Sequence, residues 1–304
     1  MGVRIFFVIS GFLITSLLLK EQHKTGGISL RKFYIRRALR IFPVFYLYLV
    51  VMLLVNQIMH LEINPWCFAG ALYLSNFSFF PTSWFTAHSW SLSVEEQYYL
   101  LWPVILRKLK GKAILAAGLV VLASVFLRVL VYLRPQYTDV TLSPFFLNAD
   151  AILIGSLYAL LLFKNAIPLG WFKNHRMSLS LISLLAVWFI YNARQNQRFG
   201  LALLPFGPAL AAALIGLVII INMEPADNVL YKILNQRAVV TMGKLSYSLY
   251  VWQQFFLVPG YDFVSKIYWN VFPVNLLLAV VASALSYFFF EKYFFKIKDR
   301  FRNV

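Results

Sequence analysis

Long apolar runs separated by short polar stretches repeat along the whole chain, at about 3–19, 41–59, 90–106, 113–132, 147–163, 177–192, 201–222, 245–258 and 271–290. Most approach the ~20 residues that a helix needs to cross a hydrocarbon core of ~30 Å. The runs are continuous rather than alternating, which predicts helices and not the dyad pattern of a β-barrel. The expected fold is all-α, a polytopic integral membrane bundle of about nine transmembrane helices, with residues 1–304 as one domain. The run 66–80 (WCFAGALYLSNFSFF) fits this scheme least. If it spanned, the basic cluster at 107–112 would fall on the wrong side, so 61–89 is read as a re-entrant or surface-lying segment.

Composition sharpens the picture. Hydrophobic residues make up 61% of the chain and charged residues 13%, more apolar surface than a soluble domain needs. A net charge of +17 suggests either nucleic acid or an anionic membrane surface. The basic residues gather between the apolar runs, at 20–40, 107–112, 164–176, 232–244 and 292–302, which is the positive-inside pattern. All five clusters are therefore expected on the cytoplasmic side, together with the C-terminus. No polar face interleaves bases with aromatics, so nucleic acid is not an expected partner. The lone Cys67 excludes an internal disulfide and any cysteine-based metal cluster. The first run lacks a small-residue cleavage site and is expected to remain as a helix. Only "MGVR" precedes it on the outer side, which a preceding helix would explain better.

Against this apolar background a few polar groups stand out. Counting back from Arg107, Glu95 lies roughly 18 Å into the membrane, where an ionisable group marks a functional site by default. Its neighbour Glu96 stands three residues after Ser93, the spacing of a capping box, and is assigned to capping. Ser10, Gly11 and Gln253 also sit deep, with Gly11 suited to close helix contact. Asp150 opens its helix near the outer face. Arg128 is expected to snorkel outward in preference to pairing with an acid. Arg37 and Arg40, at i and i+3, share a helical face, and guanidinium pairs suit phosphate oxygens. His23, His60 and His175 fall in loops; His88, seven residues before Glu95, is read as structural or interfacial first and catalytic second.

Five stretches occur in an order that resembles the membrane acyltransferase-3 family: "GVRIFFVISGFLIT" (2–15), "FYIRRALRIFPVFY" (33–46), "HSWSLSVEEQYYLLWP" (88–103), "NADAILIGSLYAL" (148–160) and "GKLSYSLYVW" (243–252). The resemblance spans essentially the whole chain, and its first three motifs are jointly specific. It implies an O-acyltransferase in the cytoplasmic (inner) membrane of a bacterium, without a bound cofactor. Acyl-CoA, acetyl-CoA in the usual case, is the implied donor. A hydroxyl of a cell-envelope polysaccharide or other exported carbohydrate is the implied acceptor. By position, Phe6, Phe7, Ser10 and Gly11 match the FFxxSG motif, Arg37 and Arg40 the RxxR motif beside Arg36, and Glu95 the acid after W-S-L-x-V. Ser246, Tyr247 and Gln253 fall in the last motif.

The chain departs from the family pattern in three places. The family's first helix, bearing an Arg and about ten residues later a His of catalytic character, has no counterpart here; with it the bundle would have ten helices. Gln253 stands where members often carry His, and Asn148 where Arg is common. The expected mechanism has the histidine of that preceding helix take the acceptor proton, Glu95 support it, Ser10 with Gly11 line the acyl path, and Arg37 with Arg40 hold the donor phosphates. Two rival readings stay open: a transporter or flippase of an anionic or lipid-linked sugar through Glu95, Asp150 and Arg128, and a non-catalytic relative that scaffolds a partner.

Overall fold

The structure, a computed structural model, describes the chain except residues 61–62, 78–80, 82, 135–143, 226–228, 259–270 and 302–304. Each apolar run becomes a helix. In chain order these are α1 (Gly2–Thr25), α2 (Leu30–Met59), a 3₁₀ helix at Pro65–Leu72, α3 (Trp84–Ala87), α4 (Ser89–Leu109), α5 (Ala113–Leu133) and α6 (Pro144–Phe163). There follow α7 (Leu169–Asn174), α8 (Arg176–Gln195), α9 (Gly200–Leu203), α10 (Gly207–Ile221), α11 (Val229–Leu234), α12 (Arg237–Phe256) and α13 (Val274–Leu285). A π-helical turn, Ser286–Glu291, then leads into α14 (Lys292–Asp299).

Seven segments are long and apolar enough to cross a membrane: Gly2–Thr25, Leu30–Met59, Ala113–Leu133, Phe145–Phe163, Arg176–Gln195, Gly200–Ile221 and Val274–Asp299. The protein is thus an all-α integral membrane bundle. The other two predicted spans are helical as well, in α4 and α12, but their polar residues set them below the apolarity of the seven. The awkward run at 66–80 is not one continuous helix: its 3₁₀ helix closes at Leu72, and bends and turns follow at 73–77. The span predicted at 41–59 starts earlier and takes in 31–40. Helix α2 begins at Leu30, so its basic residues decorate its first three turns.

The described residues fall into two compact units. The first holds residues 1–28 and 94–231, the second 29–93 and 232–303. In the first unit α1, α6 and α10 run in one direction: Arg4 at the start of α1 reaches Asn148 in the first turns of α6 and Pro208 in the first turn of α10. At the far end His23 of α1 meets Phe163, the last residue of α6. Two glycines allow α1 and α6 to touch backbone to backbone. A Cβ on Gly11 would lie 1.8 Å from the Ile152 carbonyl oxygen, and one on Gly155 would lie 2.1 Å from that of Val8. Small residues are what let membrane helices approach so closely. Gly11→Ala is accordingly expected to destabilise the protein by about 3 kcal/mol, the upper range for overpacking a tight contact. Gly118→Ala, with nothing within 4 Å of its added carbon, should be neutral or slightly stabilising, and thermal unfolding in detergent separates the two.

In the second unit α2, α12 and the α13–α14 segment pack together. Tyr247 of α12 donates to the Ile41 carbonyl of α2 at 2.9 Å, and Arg36 to the Phe301 carbonyl at 2.8 Å. Trp84 and Gln254 exchange hydrogen bonds, each side chain donating to the other's backbone carbonyl.

Candidate active site

Helix α4 carries Glu95, Tyr98, Tyr99 and Trp102 at i, i+3, i+4 and i+7, the spacing that collects side chains on one face. All four are buried, Glu95 with 2% of its surface exposed. One turn after Glu95, Tyr99 donates its hydroxyl to Glu95 Oε1. The remainder of the face docks on α1 and α6 through a chain of hydroxyls. Trp102 Nε1 donates to Thr15 Oγ1 at 2.8 Å, and Thr15 Oγ1 lies 3.3 Å from the Tyr98 hydroxyl. That hydroxyl is 2.8 Å from Ser156 Oγ, which also reaches the carbonyls of Ile152 and Gly11. Buried hydroxyls linked in this way hold the Glu95 face in register, because an unmade hydrogen bond at this depth costs more than a made one gains. Phe7 and Ser10 are buried on α1 and Phe6 is partly so. Gly11 lends its missing side chain to the helix contact and its carbonyl to the hydroxyl chain.

The capping role assigned to Glu96 does not hold. Helix α4 starts at Ser89, so Ser93 stands inside it, and its hydroxyl donates back to the Ser89 carbonyl at 3.0 Å and meets Ser75 Oγ at 2.8 Å. Ser89 Oγ in turn donates to the Thr86 carbonyl. Ser93 thus spends its hydroxyl on the preceding turn and stands where no cap is needed, because a capping box works only at a helix start.

Arg128 does not snorkel. It is 9% exposed and donates to the Pro205 carbonyl at 2.8 Å, the Leu147 carbonyl at 2.7 Å and Asp150 Oδ2 at 2.7 Å. Asp150 is fully buried and also faces Arg4 Nη1 at 3.7 Å. An aspartate without cover would be too costly at this depth, and pairing wins over extension of the arginine to water. Arg4, unremarked in the sequence, is part of this network. Its signal was position: it stands in the first turn of a predicted span, while Asp150, expected to open its helix, lies in the second turn of α6, which begins at Pro144.

In the second unit His88 is buried, and neither ring nitrogen has a hydrogen-bond partner. Its ring stands edge-on to Tyr48 at 5.3 Å and to Tyr250 at 5.6 Å between centroids. Tyr250 also donates to the His88 carbonyl, and Tyr48 to that of Phe85. Of the four histidines, His23, His60 and His175 are exposed and His88 alone is enclosed. In the last motif, Ser246 is exposed and bonds the Gly243 carbonyl, Tyr247 is spent on Ile41, and Gln253 is partly buried.

Among the described residues of this unit the buried acid is Glu291, which sequence reasoning missed. It is 2% exposed and accepts hydrogen bonds from Ser248 Oγ at 2.6 Å and Ser286 Oγ at 2.9 Å. The π-helical turn sets Ser286 above Glu291, five residues on, where an α-helix would not align them. Arg40 of α2 lies within its electrostatic reach. The signal was an acid closing the aromatic run "SYFFFEKYFF", which the limit placed at residue 290 left just outside the span. Arg37 rests over the Phe33 ring at 5.8 Å, and Arg36 is committed to the Phe301 carbonyl.

With this geometry in hand, the comparisons with known proteins are consistent. The acyltransferase domain family of type 3 matches residues 1–291. A Staphylococcus aureus (strain COL) protein provisionally named an O-acetyltransferase is 30% identical over 332 residues, covering 97% of this chain and 52% of its own. The O-acetyltransferase OatA of Staphylococcus aureus (strain NCTC 8325 / PS 47) is 27% identical, covering 96% of this chain and 52% of its own. The chain thus spans about half the length of the curated relatives it matches. No solved structure matches it. A buried carboxylate on a polar helix face, inside a bundle of apolar helices and within a family match from residue 1 to 291, places this chain in the acyltransferase-3 family of integral membrane acyltransferases.

Proposed function

We propose that this chain moves an acyl group, acetyl in the first instance, from acyl-CoA in the cytosol to a hydroxyl of an exported or cell-surface carbohydrate. The observation that carries the reading is Glu95: a carboxylate 2% exposed, on a helix inside the bundle, with a tyrosine hydroxyl donated to it. Acyl transfer to a hydroxyl requires a base for the hydroxyl proton and a polar environment for the charge that develops on the carbonyl oxygen. A fixed carboxylate supports the positive form of such a base and orients it. Glu95 takes that supporting role in our reading. The base in this reading is an imidazole, whose neutral form takes up a proton near neutral pH.

The donor's phosphates fall to Arg37 and Arg40. They stand one turn apart on α2, and Arg40 is exposed. The cytosolic placement follows from the basic clusters, so the protein would lie in a bacterial inner membrane with its C-terminus inside. Charge reversal at both arginines should weaken acyl-CoA binding by roughly a hundredfold, the loss of two charge-assisted contacts. Titration of labelled acetyl-CoA into the purified protein measures this, and an unchanged affinity refutes the assignment.

The function itself is tested by incubating the membrane-embedded protein with acetyl-CoA labelled in its acetyl group and a hydroxyl-bearing polysaccharide. Label is expected in the polysaccharide. Sugar counterflow without label transfer would instead establish transport.

A further inference from the structure

Beside the start of α1, the first unit encloses a second, more basic site. A cavity of about 110 Å³ is lined by Arg4, Arg194, Gly207, Pro208 and apolar residues of α8 and α10, among them Ile190 and Ile215. Arg194 is half-buried near the end of α8, and its Nε is enclosed without a hydrogen-bond partner. Its stem lies against the first residue of α10: a Cβ on Gly207 would stand 3.2 Å from Arg194 Cδ. Arg4 spends its guanidinium on the Pro208 carbonyl and Asn148 Oδ1 and only approaches Asp150, at 3.7 Å. Arg128 takes the other oxygen of Asp150 at 2.7 Å. Arg4 and Arg128 therefore share one carboxylate, and Arg194 lines the same cavity as Arg4.

Such an excess of positive charge within a bundle calls for a balancing anion, because a low-dielectric surround magnifies both the repulsion and the gain from pairing. The cavity is also met by the N-terminus of the 15-residue helix α10, whose backbone dipole favours negative charge there. A guanidinium fork with an unengaged Nε fits the paired oxygens of a carboxylate or a phosphate. The apolar wall opposite suits the carbon next to that group.

We propose that this cavity binds a small oxyanion, a carboxylate or phosphate, with Arg194 as its principal contact and Arg4 beside it. The inference stands apart from acyl transfer and uses none of the residues assigned to it. The oxyanion is either free in solution, borne by a soluble substrate, or the headgroup of an anionic lipid.

The test is thermal unfolding of the full chain in neutral detergent, titrated with sodium phosphate or sodium acetate at constant ionic strength made up with sodium chloride. A parallel series uses nanodiscs of phosphatidylcholine with and without phosphatidylglycerol. Stabilisation by at least one of these probes is expected, with apparent affinity falling about tenfold or more in Arg194→Gln. Gly207→Ala, which presses on the arginine stem, should weaken it in the same direction. Stabilisation by phosphate or acetate identifies a soluble anion; stabilisation by phosphatidylglycerol alone identifies a headgroup. The wild-type protein supplies an independent readout. The effective anion should shield Arg194 from modification by phenylglyoxal, scored by peptide mass. No stabilisation by any probe, or equal stabilisation and no shielding at Arg194, overturns the proposal.

Discussion

Replacing Glu95 with Gln is expected to abolish acyl transfer while the bundle still folds and inserts. The substitution keeps shape and volume and keeps an oxygen to accept the Tyr99 hydroxyl. The rest of the face is untouched: Trp102, Thr15, Tyr98 and Ser156 hold one another without Glu95. What disappears is the negative charge. A carboxylate that supports a general base in its protonated form acts through that charge, and general acid–base assistance contributes about 10²–10⁴-fold to rate. The initial rate of labelled acetyl transfer should fall by that range, with the thermal midpoint moved by no more than a few degrees. A variant that transfers at the wild-type rate would rule out the role. A variant that loses rate and unfolds together would make Glu95 a packing residue.

The second large effect is on stability. Removing Arg128 by Arg128→Leu leaves Asp150, which has no exposed surface, facing only Arg4 at 3.7 Å, and leaves the Pro205 and Leu147 carbonyls without their donor. Breaking a buried ion pair from one side typically costs about 3–5 kcal/mol, because the surviving charge stays buried without compensation. Changing both partners, Arg128→Leu with Asp150→Leu, should cost less than the sum of the single changes, since no orphan carboxylate remains. Thermal unfolding of the four proteins in one detergent gives the coupling. If Arg128→Leu is as stable as the wild type, the arginine contributes nothing at this site and the outward-reaching reading returns.

These two residues also show how far the sequence reaches. The burial of Glu95 was legible because depth is a one-dimensional property: counting residues from a basic edge gives height in the membrane. Arg128 was equally visible, yet its fate was not. Whether an arginine extends to water or pairs depends on what neighbouring helices bring to it. Here α1 and α6 bring Arg4 and Asp150, which are 146 positions apart in the chain and adjacent in space. Glu96 failed for a related reason. A capping box is a local pattern, but it caps only where a helix begins, and α4 begins four residues before Ser93, at Ser89.

Glu291 was lost at a boundary. An apolar window ends where charge appears, so an acid at the edge is assigned to the loop, although the π-helical turn draws it inward onto Ser248. Apolar runs and the spacing of basic clusters by themselves determined the all-α membrane class and that each run is helical, though not where a helix such as α2 begins, because the lipid phase forces every backbone group into internal hydrogen bonds and leaves little choice of structure. Partnership was decided only in three dimensions. Which glycine meets which carbonyl, which arginine pairs and which stays open, and which serine faces the buried acid all depend on contacts between segments far apart in the chain, and no local pattern encodes those.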